Sequence, residues 1–231
     1  MSTASPLLAP QTILDPDDWR ARESSHADRA DALTAGRRAR AARGQTHPVE
    51  DFLFTYYGYK PALLRRWHPG AAFALADAAQ EARAEWRWYV RGADDTLRVD
   101  VRAFAAEKRL LLTGVATILA GTRGRSAQYG CFGMHEWAML YRSEIPRHTA
   151  PLRLGSAGTD AVVESHELRC THFDAFRFFT EDAVPRNRAL LERDTQAAHE
   201  QPGCLHAGMD LYKWAVKLGP LVPGETLLDA F

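Results

Sequence analysis

Neither charge is in excess in this sequence: 29 lysines and arginines face 29 aspartates and glutamates, so the chain is formally neutral at pH 7. Proteins that hold nucleic acid by general phosphate attraction usually carry a basic excess, so only a local basic patch could serve that purpose. Cysteine is scarce. Cys131, Cys170 and Cys204 are an odd count at spacings of 39 and 34 residues, which is no disulfide framework. The absence of a Cys-x-x-Cys pair argues against a zinc knuckle or an iron–sulfur cluster, and three buried free thiols are expected. Long apolar runs are missing too. The strongest, Leu110 to Ala120, is too short and polar-flanked to span a membrane. The N-terminus has no basic segment leading into an apolar one. The cytoplasm is therefore the expected location, with no membrane partner. No Gly-x-Ser-x-Gly elbow occurs, which disfavours an ordinary serine hydrolase. Gly121-x-x-Gly124 matches neither a phosphate-binding loop nor a dinucleotide fingerprint.

What is present is enough to fold. The 231 residues are 46% hydrophobic, and a chain of this size buries roughly 70% of its extended surface without a metal or disulfide staple. The pattern predicts a mainly α protein: a flexible arm over 1–14, then a single helical domain over 15–231 with a small β-hairpin at about 86–101. Asp15-Pro16-Asp17-Asp18 is a helix start with a capping aspartate and a proline in the first turn, and the helix should stop at Gly44. Its arginine run over 36–43 reads as a solvated face. Helices are expected over about 71–83, 102–119, 134–142, 186–199 and 205–218 from apolar residues three and four apart. Trp86–Val90 and Thr96–Val101 alternate as strands around a Gly-Ala-Asp-Asp turn. Residues 152–154 read as extended and 155–158 as flexible. The stretch 161–174 is ambiguous; as a strand it would place His166, Leu168, Cys170, His172 and Asp174 on one face. The short run Glu225–Phe231 resembles a helix cut off early, so the parent protein is expected to continue past Phe231.

Histidine, acid and aromatic side chains gather in three segments. In the first, Cys131 to Arg142, a helix would turn His135 toward Met139 and Arg142 and turn Glu136 away. His135-Glu136 is not the His-Glu-x-x-His zinc motif, because Met139 stands where the second histidine belongs. In the second, Arg169 to Phe179, the groups His172, Asp174 and Arg177 lie among phenylalanines, and charges so placed must be paired. In the third, Gly203 to Trp214, His206 and Asp210 share a helical face, with Lys213 a further turn along. Partly desolvated polar groups must find partners, so one pocket is expected to collect His135, His172, Asp174, His206 and Asp210, walled by Trp137 and Trp214. The bland alternative has each segment satisfying itself, His172 with Asp174 and His206 with Asp210.

For a metal, the candidate ligands are His135, His172, Asp174 and His206. Mixed nitrogen and oxygen donors suit a divalent ion such as zinc, iron or manganese. His148 with Asp160, and Glu164 with His166, are rival ligand pairs. For catalysis the candidates are Asp174, His172, Glu136 and Asp210; for substrate binding they are Trp137, Arg142, Arg177, Lys213 and Trp214.

Phe132 to Arg142, Pro151-Leu152-Arg153-Leu154-Gly155, Thr171 to Thr180 and Glu200 to His206 together resemble an actinobacterial protein family whose members commonly carry the label 3-methyladenine DNA glycosylase. The resemblance extends over most of the chain from about Asp15. It implies hydrolysis of the N-glycosidic bond of an alkylated purine, with DNA or a small molecule containing a modified nucleobase as partner. Such an enzyme must flip and hold its base. Here Trp86, Trp88, Trp137 and Trp214 are available for stacking, and Asp174 or Asp210 for stabilising a cationic sugar. Two other classes stay open from the residues themselves. One is a metal-dependent hydrolase or oxygenase acting on a small molecule. The other is a non-enzymatic DNA- or partner-binding protein using the arginines of 36–43 with Arg65, Arg66, Arg123 and Arg125.

Overall fold

A computed structural model describes residues 12–92, 94–143 and 151–231. The chain is mainly helical with one small sheet, with eleven α-helices and four strands among the described residues. It forms two compact units. One comprises the residues up to Leu112 together with Leu211–Phe231, and the other is Thr113–Asp210. No helix among the described residues is long and apolar enough to cross a membrane.

The first unit opens with β1 (Thr12–Leu14) and α1 (Pro16–Ala42). Asp15 caps α1, its carboxylate accepting from the N–H groups of Asp17 at 3.0 Å and Asp18 at 2.9 Å, which satisfies donors that the first turn leaves over. The arginine run at the end of α1 is tied to acids. Arg37 and Arg40 reach Asp51 at 3.1 and 2.5 Å, and Arg38 reaches Asp31 at 3.4 Å. Then come α2 (Phe52–Tyr56), α3 (Pro61–Leu64), β2 (Phe73–Leu75), β3 (Tyr89–Arg91), β4 (Leu97–Val99) and α4 (Val101–Glu107). The sheet order is β1-β2-β4-β3, with β1 parallel to β2 and the other pairs antiparallel. The β3–β4 hairpin falls within the predicted 86–101. Buried Arg83 lies against the rings of Trp19, Trp67 and Trp86, 5.3 to 5.7 Å from their centroids, and pairs with Glu23.

Three expectations for this unit are corrected. Thr12–Leu14 is not a loose arm, because it pairs with Phe73–Leu75. Residues 71–83 are not a helix. Alanine's helical preference is worth a few tenths of a kcal/mol per residue, and pairing on both sides of β2 outweighs it. The helix expected over 102–119 is broken at Lys108, and the second piece, α5 (Arg109–Arg123), runs on into the second unit.

The second unit continues with α6 (Met134–Ala138), α7 (Gly155–Glu164), α8 (Phe173–Phe176), α9 (Gln196–His199) and the start of α10 (Leu205–Leu218); α11 (Gly224–Ala230) belongs to the first unit. Its core packs Met134, Ala138, Tyr141, Val163, Leu168, Phe176 and Phe179. Several boundaries differ from expectation. The helix expected to reach Arg142 ends at Ala138, residues 155–158 are helical rather than flexible, and 186–199 contains only the single turn of α9. The stretch 161–174 is no strand. It leaves α7, makes one parallel bridge from Leu168 to Asn187, and enters α8. Its alternation of polar and apolar residues reflects side-chain anchoring of a loop, not a ladder.

Candidate metal centre

One backbone turn and three side-chain anchors position the polar side chains of the second unit. Phe132 and Gly133 both take left-handed conformations, φ +45° and +74°, and swing the chain after Cys131 into α6, so that His135 is buried in its first turns. Asn187 holds the strand-like segment before His172. Its Oδ1 accepts from the Cys170 N–H at 2.8 Å, and its Nδ2 donates to the carbonyls of Cys170 and Ala189. Arg125 donates to the carbonyls of Ala197 and Glu200 at 2.6 and 2.9 Å, fixing the end of α9. Buried Gln201 ties three segments with one amide. It accepts from the N–H groups of Gln128 and Gly203 at 2.8 and 2.7 Å, and donates to the Gln128 carbonyl and Thr171 Oγ1 at 3.0 and 3.3 Å. Gly203 passes so close to Gln128 that a Cβ would lie 2.7 to 3.0 Å from its backbone atoms.

The result is a buried group of one imidazole and two carboxylates. His172 Nε2 lies 3.1 Å from Asp210 Oδ2 and 3.7 Å from Glu200 Oε2, and the three residues are 1, 3 and 2% exposed. Gln196 Nε2 donates to Glu200 Oε2 at 2.8 Å and orients that carboxylate. His172 Nδ1 is buried with no hydrogen-bond partner, so the polar chemistry of this ring runs through Nε2. All three ligand atoms lie within 4.8 Å of one another. Four donors around zinc at about 2.1 Å sit roughly 3.4 Å apart, which the two measured separations bracket. Charge points the same way. Two buried carboxylates stand beside one imidazole, and carboxylates in the interior need partners of the kind a cation supplies.

Against it stands a second, more open group. The His206 ring stacks on His172 with centroids 5.3 Å apart and planes 24° apart, and it meets the His135 ring edge-on at 4.6 Å and 73°. His135 Nδ1 shares a 3.1 Å hydrogen bond with Cys131 Sγ, and its Nε2 lies 3.2 Å from Glu136 Oε1. His135, Glu136 and His206 also bring one ligand atom each within 4.8 Å. Burial would lower the His135 pKa, but hydrogen bonds to Cys131 and Glu136 outweigh it and raise the value to about 9. Burial likewise opposes ionisation of Cys131, yet the bond and charge of His135, with the backbone N–H groups of His135 and Gly133, bring its pKa below that of an ordinary thiol. His206 goes the other way. Burial first, then the charges of His135 and His172, lower it to about 4, leaving a neutral ring at pH 7. Burial pushes the Cys170 thiol up to about 12.

The structure thus brings together His135, His172, His206, Asp210 and Glu136, all within one unit. Asp174 stands apart from both ligand groups. Its Oδ1 faces Arg177 Nε at 3.4 Å and Arg193 Nη2 at 3.5 Å, because α8 starts at Phe173 and turns it away from His172. His172 pairs with Asp210 rather than only with its neighbour in sequence, and Asp210 also acts electrostatically on His206. Arg142 bonds Glu164 at 3.0 Å, and Trp137 packs on the apolar core. Lys213 and Trp214 fall in the part of α10 that belongs to the first unit, with the Lys213 ammonium 4.2 Å from the Trp214 ring centroid. Of the rival ligands, His148 lies outside the described residues, Asp160 accepts from the Arg142 N–H, and Glu164 bonds Tyr141. His166 is exposed and bonded to Val162 and Ser165. Glu200, Gln196 and the Cys131–His135 contact escaped sequence reasoning. The Gln196–Glu200 spacing of four was the available signal for the first two.

No protein-family model matches the chain, and neither the curated proteins nor the solved structures contain a match to it.

Proposed function

We propose that this chain is a metal-dependent hydrolase acting on a small molecule, with a divalent ion held by His172 Nε2, Glu200 and Asp210. The observation that carries the reading is the buried group of three donors at separations suited to one ion. The donors suit zinc, iron or manganese. When bound, such an ion supplies Lewis acidity and lowers the pKa of a water molecule. The protein's own groups do the rest. Gln196 orients Glu200, as ligand-supporting hydrogen bonds generally do. His135, Glu136 and His206 lie beside the group on its more open side, where substrate would approach.

The experiment is a hydrolysis screen with and without chelator. Phosphate esters, carboxylic esters and amides are offered to the purified protein, along with alkylated duplex DNA. The reading expects turnover of a small ester or amide that a chelator abolishes and zinc or manganese restores. Release of free base from the DNA that persists in chelator would favour the N-glycosidic reading implied by the family resemblance, in which Asp210 beside His172 would stabilise the cationic sugar.

A further inference from the structure

The three histidine rings cannot all serve one ion. An imidazole nitrogen donates its lone pair in the plane of its ring, so an ion bound by two rings must lie in both planes. The His172 and His206 rings are stacked, 24° apart in orientation with centroids at 5.3 Å. An ion in the plane of one therefore lies well out of the plane of the other. The His135 and His206 rings meet at 73° with centroids at 4.6 Å, and each brings a ligand atom within 4.8 Å of the other's and of Glu136.

We infer that the centre is dinuclear: a second divalent cation sits between His135 Nε2, Glu136 and His206, beside the ion of the buried triad. The inference rests on the metal-dependent reading above and extends it. Cys131 Sγ at 3.1 Å from His135 Nδ1 occupies the far nitrogen and aims Nε2 at Glu136, the usual way a ligating histidine is fixed from behind.

The two positions differ in access, and that difference assigns their roles. His172, Glu200 and Asp210 are all buried, whereas the Glu136 side chain is 65% exposed and His206 half-buried. Three protein ligands with an open position suit an ion that meets substrate. His135, Glu136 and His206 would therefore hold the ion on the side that meets substrate, and His172, Glu200 and Asp210 would hold the buried ion beside it.

Counting the ions tests this. Metal-stripped wild-type protein and Glu136→Gln are titrated with cobalt(II), bound ion is counted by equilibrium dialysis and elemental analysis, and folding is checked by circular dichroism. Glu136 is exposed, so its replacement leaves the fold intact. His206→Gln serves as a second variant removing the same position from the other side. Two equivalents in the wild type and one in each variant is the expected result. One equivalent in all three proteins overturns the second ion while sparing the buried one. Two equivalents in both variants also overturn it, because the second ion then lies elsewhere. No bound ion in any of them overturns the second ion and the metal-dependent reading together.

Discussion

His172 Nε2 and Asp210 Oδ2 meet at 3.1 Å across 38 residues of sequence, in a space that also contains the Glu200 carboxylate 3.7 Å from the same nitrogen. In metal-stripped protein, Asp210→Asn keeps the size of the side chain and a hydrogen-bonding oxygen, and should cost about 1 kcal/mol or less. It should also lose the stabilisation that metal confers. That gain is about 2.7 kcal/mol when free ion is a hundredfold above its dissociation constant. Urea denaturation of both proteins with and without zinc reads out both quantities. A metal-stripped variant weaker by several kcal/mol would mean the pair is a structural ion bridge.

Acid should act through His206. Its folded pKa is lowered to about 4 by burial and by the neighbouring imidazoles, against about 6.5 in an unfolded chain. Below about pH 6.5 the unfolded state takes up a proton that the folded state refuses, so stability falls with pH until the folded group titrates near 4. In metal-stripped protein, His206→Gln should flatten this decline by roughly one proton, about 1.4 kcal/mol per pH unit. His68, lowered to about 4 chiefly by burial, contributes a separate decline that the variant leaves intact. Equal slopes in wild type and variant would contradict the assignment.

The three thiols should differ in reactivity. Cys131 is half-buried and bonded to His135, whereas Cys170 is buried with its thiol pushed up to about 12. Only a thiolate attacks iodoacetamide at a useful rate. Peptide mapping of metal-stripped protein at pH 7 should find Cys131 alkylated at least about tenfold faster than Cys170. His135→Phe should remove most of that advantage. Preferential labelling of Cys170 would contradict the geometry.

Gly203 is the backbone contact on which the centre hangs. A Cβ there meets Gln128 N, C and O at 2.7 to 3.0 Å, none of which is a flexible side-chain end. Gly203→Ala should cost about 1–3 kcal/mol by overpacking and weaken ion binding, because it pries apart the segments that carry Cys131 and His206. Thermal melts with and without metal separate the two effects. A variant with wild-type stability would show that the loop adjusts freely.

Some of this was legible in the sequence. Asp15 and Pro16 announced the start of α1, since capping is local chemistry. His135, His172, His206 and Asp210 stood out because polar groups among phenylalanine, leucine and methionine must find partners, and rings from all three segments do lie together. Glu200 was not legible. It sits at the end of a single-turn helix between a loop and Gln201-Pro202-Gly203, with no apolar periodicity to mark it as buried. The strand Phe73–Leu75 was hidden for a different reason. An alanine-rich run looks helical in isolation, and only its partners Thr12–Leu14 and Leu97–Val99, remote in sequence, make it extended. Asp174 looked like a ligand by proximity to His172, but the turn of α8 sends it to Arg177 and Arg193.

The most direct measurement is the metal content of protein purified without a histidine tag, by elemental analysis on the wild type and on His172→Ala. The account predicts stoichiometric zinc, iron or manganese in the wild type, before or after reconstitution, and loss of the buried ion in the variant. A wild-type protein that stays metal-free after reconstitution, or a variant that binds as much metal as the wild type, would contradict it.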